Sequence, residues 1–404
     1  MLKLVLGASG SGKTTLLYAR IRARAEAGKR SILLVPEQFT SSTEARIYRE
    51  LGDALSGMVE SYSFTSLAEH ILAVEGGAAV QTLTDAGRAV LVRRALEELQ
   101  DNVHYYYRHR RSAAFCQMAA ETIDELKSAG LSGQQLQELA RDCGSESAKL
   151  GELALIFQGY ESLLAGTGMD PADRLELAAD RLEAALARDE LPDFLREREV
   201  FIDEFDTFNA PKKRLMGAML AALPAVTVAL CEDGAPMQPG DLELFSGAKQ
   251  VAAQLRQLAR KNGAQVAAPE LLRRDLRHKD APGLAALTEL LETGSCTPPE
   301  SAPELRLFAA ASREEEARCA AAAIRRLMRQ GVRCGKIAVV CRDISLYRAA
   351  VRYEFRMAEI PLYCDEPTTP EFSAPATAVR ALLALLRGAD MTEQLTVLDR
   401  KSVV

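Results

Sequence analysis

The residues best suited to chemistry lie at the start of the chain, where Gly7-x-x-x-x-Gly12-Lys13-Thr14 follows an apolar run. The glycines allow a tight turn in which successive backbone N–H groups face one anion. In this pattern the lysine reaches the β and γ phosphates of a nucleotide, and the threonine hydroxyl holds Mg²⁺. The sequence therefore predicts an ATP site formed by Gly7, Ala8, Ser9, Gly10, Ser11, Gly12, Lys13, Thr14 and Thr15. A turn between strand and helix that binds nothing is the less favoured alternative.

Two acidic residues, Asp203 and Glu204, end a second short apolar segment, Val200 to Ile202. Downstream of a P-loop, an acid at the first position is suited to hold Mg²⁺ through water. The acid after it is suited to take a proton from an attacking water. A strand followed by two acids is common and usually ends in solvent, so this interpretation depends on the P-loop. We favour Thr14 and Asp203 as the metal residues and Glu204 as the general base.

These side chains need a scaffold that brings distant segments together. The chain opens with a β-α-β pattern: the apolar run 2–6, an amphipathic helix over 14–27 and a buried strand over 31–35. Further apolar strands are predicted over 58–62 and 223–230. Short, fully apolar strands that alternate with helices are typical of a parallel sheet covered on both faces. We therefore predict an α/β fold of the P-loop NTPase type.

The remaining segments suggest further domains. Helical patterns replace strand patterns over 82–198, which predicts a helical insertion between residues 1–81 and 199–264 of the first domain. Residues 265–303 are rich in Pro, Ala and charge, and we interpret them as a linker. A new α/β unit is predicted over 304–404, with strands over 305–309 and 337–341, the second leading into Arg342.

The composition is that of an ordinary globular protein. The 404 residues carry a net charge of -6, which neither indicates nor excludes nucleic-acid binding. Eight cysteines are scattered without a C-x-x-C pair or neighbouring histidines, so they do not form a zinc motif. No apolar stretch approaches the ~18 residues needed to cross a bilayer. We expect a cytoplasmic protein with no membrane partner.

One patch, residues 105–111 (YYYRHRR), combines three tyrosines with a basic cluster. Such residues could stack on bases and grip phosphates. A solvated helix end with partly buried tyrosines is the favoured alternative.

The order of motifs along the chain resembles superfamily 1 helicases of the UvrD type. It runs from the P-loop to VPEQFT (35–40), ESYSFTSLAEHIL (60–72), the helical region, VFIDEFDTF (200–208) and SREEEARCAAAAIRRLMRQGVRCGKIAVVCRD (312–343). Within that group the chain is most similar to the AddB subunit of bacterial AddAB helicase-nucleases. The segments PEQFT and 115–130 favour AddB over a generic helicase.

The resemblance implies two RecA-like domains, the first carrying the helical insertion and the second starting near residue 304. It implies that Lys13 and Thr14 bind phosphate and metal and that Asp203 and Glu204 form the acidic motif. It places Arg342 where an arginine would stabilise charge on the transferred phosphoryl group. An ordinary strand-end arginine is an equally favoured reading of Arg342. Implied partners are an AddA-like helicase-nuclease subunit in a heterodimer, double-stranded DNA ends and single-stranded DNA.

The chain also departs from the helicase pattern. No glutamine segment precedes the P-loop, and the glutamines usual after the acidic motif and near Cys231 are missing. The last helicase motifs do not occur, so we expect an amino-terminal fragment or an incomplete gene model. The resemblance assigns a 4Fe-4S cluster to a carboxy-terminal nuclease domain, and the eight cysteines here are not its ligands.

Three functions compete. The first is an ATP-hydrolysing subunit of a helicase-nuclease that processes double-strand DNA ends for recombinational repair. The second is a helicase-like scaffold that scans DNA for a recombination hotspot while a partner subunit translocates. The third, a small-molecule P-loop kinase, fits the first fourteen residues but not the long helical insertion.

Overall fold

The computed structural model describes residues 1–77, 81–109, 111–235, 244–364 and 373–399. The chain divides into two compact units, Met1–Glu304 and Leu305–Val404. The elements of the first unit are β1 (Leu2–Gly7), α1 (Lys13–Glu26), β2 (Ser31–Leu34), α2 (Thr40–Leu51), α3 (Asp53–Ser56), β3 (Val59–Tyr62), α4 (Phe64–Glu75), α5 (Asp85–Glu98), α6 (Ala113–Ser128), α7 (Gly133–Ala140), α8 (Ser147–Leu164), α9 (Pro171–Ala187), β4 (Glu199–Ile202), α10 (Ala210–Ala222), β5 (Ala225–Cys231), α11 (Ser246–Lys261), β6 (Glu270–Leu272) and α12 (Pro282–Thr293).

The first unit is built on one six-stranded sheet with the order β3-β2-β4-β5-β1-β6. All five pairings are parallel. In a parallel sheet every strand ends at the same edge, so the loops after β1, β4 and β5 meet there. The predicted α/β class with a RecA-like parallel sheet is confirmed.

Helices cover both faces of the sheet, which explains why its strands are apolar on both sides. On one face α1 and α2 pack on Val5, Leu33 and Phe201, each of which is buried. On the other face α4, α9, α10 and α11 pack on Leu4, Ile32 and their neighbours. The P-loop helix is therefore anchored through buried Leu17 and Ile21.

The region between β3 and β4 is helical, as the sequence predicts. Helices α5, α6 and α8 share a separate apolar core that includes Val92, Ile123 and Phe157, while α9 packs with α4 and α10 beside the sheet. A buried polar contact joins the two parts: Lys127 Nζ lies 2.9 Å from an oxygen of Asp170, whose other oxygen accepts from Tyr160 at 2.7 Å.

Residues 265–303, interpreted as a linker, instead contain two elements of the first unit. Strand β6 pairs with Val5–Gly7, and Leu2 N donates to Gln265 O at 2.7 Å. Helix α12 follows. This segment forms a strand because the backbone N–H and C=O groups at the edge of β1 need hydrogen-bond partners, and the short, half-exposed β6 supplies them.

The second unit contains α13 (Arg313–Arg329), α14 (Ile344–Met357), α15 (Ala374–Leu386) and α16 (Met391–Asp399). Helices α13 and α14 pack through Ala321, Ile324, Val351 and Phe355. The strands predicted over 305–309 and 337–341 are not strands among its described residues. Both segments are apolar, but a strand forms only where a neighbouring strand bonds its backbone. Leu307 and Val340 accordingly remain 99% and 91% exposed.

None of the helices in the described ranges is both long and apolar enough to cross a bilayer.

Candidate functional site

The P-loop folds at the carboxyl edge of β1 as a tight turn into α1. Gly10 and Gly12 adopt left-handed backbone angles, with φ of 83° and 91°, and Gly12 directly precedes the helix. A side chain at either position would be strained. Lys13 Nζ donates to the carbonyl oxygens of Gly7 at 2.7 Å and Ala8 at 2.8 Å. The loop thus already has the shape of an anion cradle, with the ammonium folded back over it.

Burial lowers the pKa of the Lys13 ammonium, while Cys231 and Asp203 nearby act in the opposite direction. Beneath the loop, the Ser11 hydroxyl is buried and has no hydrogen-bond partner among the residues that the structure describes. The helix N-terminus and its N–H groups add positive potential at the same point. This part of the chain therefore favours a multiply charged anion.

Asp203 and Glu204 follow β4 and lie beside the P-loop. Asp203 is only 5% exposed, and its Oδ1 accepts from Glu204 N at 3.0 Å. Burial raises the pKa of the Asp203 carboxyl, although a hydrogen bond from Thr14 and the charge of Lys13 oppose the shift. Glu204 is exposed and has a left-handed φ of 64°. Burial, and then the charge of Asp203, raise its pKa.

One cavity of about 520 Å³ brings these groups together. Its lining includes six P-loop residues, both acids and two arginines: Ser9, Gly10, Gly12, Lys13, Thr14, Thr15, Asp203, Glu204, Arg46 and Arg277. The predicted P-loop residues and the acidic pair therefore converge, while Gly7, Ala8 and Ser11 support the loop from behind.

The oxygen donors of this cavity suit Mg²⁺. The Thr14 hydroxyl and the Asp203 carboxylate are hydrogen-bonded neighbours, and both are hard oxygen ligands. No group of three or more His, Cys, Asp or Glu residues that could hold a metal occurs in the described ranges. Mg²⁺ does not require one, because it is usually bound by one or two protein oxygens together with phosphates and water.

Arg277 is a cavity residue that the sequence analysis missed. Its segment follows β6 and lies over the P-loop: Leu276 N donates to Gly10 O at 3.0 Å, and Arg277 Nη1 donates to Ser9 Oγ at 3.1 Å. Asp275 Oδ1 fixes the turn by accepting from Arg277 N at 2.9 Å. The only sequence signal was the basic run Arg273-Arg274-Asp275-Leu276-Arg277 inside the presumed linker.

Arg46 is a second cation of this cavity that the sequence analysis did not identify. It projects from α2 and lies over the Tyr18 ring, with its guanidinium carbon 4.8 Å from the ring centroid. Its charge acts against the rise in the pKa of both Asp203 and Glu204. The cavity therefore has three cations, Lys13, Arg46 and Arg277, facing three acids, Asp203, Glu204 and Asp206, and such a distribution is suited to phosphates and a metal ion.

Two other candidates from the sequence, Arg342 and the tyrosine patch, are not among the residues that line this cavity. Arg342 belongs to the second unit, where it is exposed. In the tyrosine patch, the Glu152 carboxylate accepts from the backbone N–H groups of His104, Tyr105 and Tyr106. Tyr106 packs on Phe115 while Tyr105 is 60% exposed. Arg110 of this patch lies outside the described residues.

The buried acid gives a testable link between pH and stability. Burial raises the folded-state pKa of Asp203, so its ionised form opposes folding above that pKa and ceases to do so below the unfolded value. We expect Asp203→Asn to raise the melting temperature of the nucleotide-free protein at pH 8 by roughly 2–4 °C, the shift that ~1 kcal/mol causes in a large domain. The gain should shrink as the pH falls. Calorimetry at several pH values measures it, with exposed Asp206→Asn as control; a gain that is constant with pH contradicts the assignment.

Comparison with known proteins identifies the family of this chain. The family model described as "ADDB, N-terminal" matches residues 4–288. A protein of Desulforudis audaxviator, named as a subunit of an ATP-dependent helicase/deoxyribonuclease, is 34% identical over 381 residues, covering 90% of this chain and 32% of the relative. Proteins of the same name from Moorella thermoacetica and Symbiobacterium thermophilum are 33% and 32% identical, covering 90% and 95% of this chain and 32% and 34% of their own.

The chain spans about a third of the length of these relatives. The family match itself covers well over half of the chain and includes the P-loop, the acidic pair and Arg277. The protein therefore belongs to the AddB family and matches that family's amino-terminal region.

Proposed function

We propose that the first unit binds ATP with Mg²⁺ in the cavity between the P-loop and Asp203. The observation that carries this proposal is the convergence of Lys13, Thr14, Asp203 and Glu204 at one edge of a parallel sheet. In the bound state Lys13 exchanges its two carbonyl partners for phosphate oxygens. The loop N–H groups and the start of α1 hold the remaining phosphate charge.

The acidic pair has divided roles in this proposal. Thr14 and Asp203 hold Mg²⁺, which neutralises charge on the phosphate oxygens when bound. Asp203 also fixes the following backbone N–H, which orients Glu204 toward the cavity. Glu204 is exposed there and its pKa is raised, both of which suit a base that takes a proton from water.

Arg277 supplies a further phosphate contact from the same chain. It reaches the P-loop through Ser9 and lies near enough to Lys13 to lower the pKa of that ammonium. We expect Arg277→Ala to weaken ATP binding on the order of tenfold, the loss of one charge-assisted hydrogen bond. Arg274→Ala, an exposed neighbour outside the cavity, is the matched control. Equal ATP affinities for the two variants in a fluorescent-nucleotide titration would show that Arg277 does not contact the nucleotide.

The domain assignment follows from the chain order. We propose residues 1–81 and 199–264 as the first RecA-like domain, to whose sheet β6 of the following segment adds a strand. We propose 82–198 as its helical insertion and 304–404 as part of a second RecA-like domain. The support for the last is its order of apolar segment, helix, apolar segment and helix. Arg342 follows the second apolar segment, and we propose it, on the resemblance to helicases, as an arginine that stabilises charge on the transferred phosphoryl group.

For the whole protein we propose the AddB component of an ATP-dependent helicase/deoxyribonuclease that processes double-strand DNA ends in the cytoplasm for recombinational repair. An AddA-like subunit is its proposed partner, and double-stranded ends and single strands are its proposed substrates. This chain would hold the ATP-binding, helicase-like part, and a nuclease domain with a 4Fe-4S cluster would belong to the remainder of such a protein.

A second function, a DNA-scanning scaffold, is favoured by a groove beside the ATP cavity. This groove of about 430 Å³ lies at the carboxyl ends of β2, β3 and β4 and includes Gln38, Thr65, Asn209 and Lys212. Amide and hydroxyl groups of this kind can contact base edges. The groove is also lined by four acids, Glu37, Asp124, Glu204 and Asp206, so it is suited to bases rather than to phosphates. Glu204 lines both cavities, so DNA in the groove would lie next to the nucleotide.

Phosphate release from ATP, measured on the chain with and without single-stranded DNA, separates these functions. Release stimulated by DNA supports the hydrolysing subunit. ATP binding without release supports the scaffold. Absence of ATP binding contradicts both.

A further inference from the structure

Positive charge is concentrated in one stretch of an otherwise acidic chain. Residues 318–356 contain ten Lys and Arg residues and two Asp and Glu residues, a net charge of +8, whereas the whole chain has -6. The stretch runs from α13 to α14 in the second unit. Because α13 and α14 pack against each other, these charges belong to one compact body.

Helix α14 arranges part of this charge along one face. Arg348, Arg352 and Arg356 are separated by four residues each, and all three are exposed. Residues with this spacing are neighbours on a helix surface, with about 5–6 Å between their Cβ atoms. Val351 and Phe355 lie on the buried side of α14, where they pack against α13.

The nearby acids do not pair with Arg352 or Arg356 among the described residues, and exposed Glu359, three residues after Arg356, makes no ion pair there. Glu354, the only acid within α14, is 9% exposed and pairs with Arg318 of α13 at 3.0 Å. Asp343 caps the helix by accepting from Ser345 N at 2.9 Å. Arg352 and Arg356 make no ion pair or hydrogen bond through their side chains within the described part of the chain.

Deepening the DNA-processing function proposed above, we propose that the outer face of α14, with Arg352 and Arg356 at its centre, binds the phosphate backbone of a nucleic acid. Guanidinium groups one helical turn apart complement a polyanion with regularly spaced charges. Tyr353 lies beside them and is 53% exposed, which places an aromatic ring within reach of a base. This face contacts phosphates and therefore binds without regard to sequence.

The test compares Arg352→Gln/Arg356→Gln with Arg22→Gln/Arg181→Gln. Both double variants remove two exposed arginines from helices, so they change the net charge equally. Fluorescence anisotropy measures the affinity of each for labelled oligo-dT and oligo-dA over a range of salt concentrations, without nucleotide. We expect the α14 variant to bind both oligonucleotides on the order of tenfold more weakly, with a salt slope smaller by about 1.4, twice the ~0.7 per phosphate of a single strand.

The control variant should keep the affinity and salt slope of the unchanged protein. An equal loss of oligonucleotide affinity in both variants, or no loss of affinity in the α14 variant, would overturn the proposal. Loss of binding to labelled polyglutamate with unchanged DNA binding would assign the face to an acidic protein and also overturn it. ATP affinity is measured separately in each variant and should not change, so a failure here is distinct from a failure of the proposed ATP site.

Discussion

Lys13→Ala is expected to lower the affinity for ATP with Mg²⁺ on the order of 100-fold, since a lysine that contacts two phosphates contributes hydrogen bonds between charged groups worth ~3 kcal/mol. The ammonium is held in place by two backbone carbonyls at 2.7 and 2.8 Å, so its position in the cavity is already defined. Titration of a fluorescent ATP analogue measures the change.

Lys29→Ala is the matched control, because Lys29 is an exposed lysine beyond the far end of α1. It should bind like the unchanged protein. Both variants should also unfold at similar temperatures, because Lys13 has no ion pair in the described residues that its removal would break. Unchanged ATP affinity in Lys13→Ala would contradict the P-loop assignment.

Glu204→Gln is expected to retain ATP affinity and to lower phosphate release by about 10²–10⁴-fold, the usual contribution of a general base. The amide keeps the shape of the side chain but cannot accept the proton from water. The measurement is single-turnover phosphate release at saturating ATP, in the presence of single-stranded DNA.

Glu197→Gln provides a closely matched control for this variant. Glu197 also has a left-handed φ, 59°, but it precedes β4 whereas Glu204 follows it. Its substitution should leave phosphate release unchanged. If Glu204→Gln and Glu197→Gln hydrolysed ATP equally, Glu204 would not be the base.

The central part of the site could be predicted from sequence because its signals are local. The P-loop pattern fixes a turn by itself, and β1 and β4 are apolar on both faces, as strands at the centre of a parallel sheet must be. Their adjacency to a common edge then follows from the parallel arrangement. The convergence of Lys13 and Asp203 is a consequence of that topology.

The position of Arg277 in the site could not be predicted from sequence because it depends on the pairing of β6 with β1. Strand β6 has only three residues, Glu270–Leu272, none of them buried, and its pairing is determined by the free edge of β1. Only that pairing brings Arg277 to the P-loop. Conversely, the segments 305–309 and 337–341 have the composition of strands, but composition does not supply a partner strand.

The most direct test of the ATP site is a crystal structure of the chain with Mg²⁺ and a non-hydrolysable ATP analogue. We expect the phosphates between Gly10 and Thr14, with Lys13 Nζ moved from the Gly7 and Ala8 carbonyls onto phosphate oxygens. We also expect Mg²⁺ beside Thr14 and Asp203. A nucleotide bound elsewhere, or an ordered analogue with Lys13 still on its two carbonyls, would contradict it.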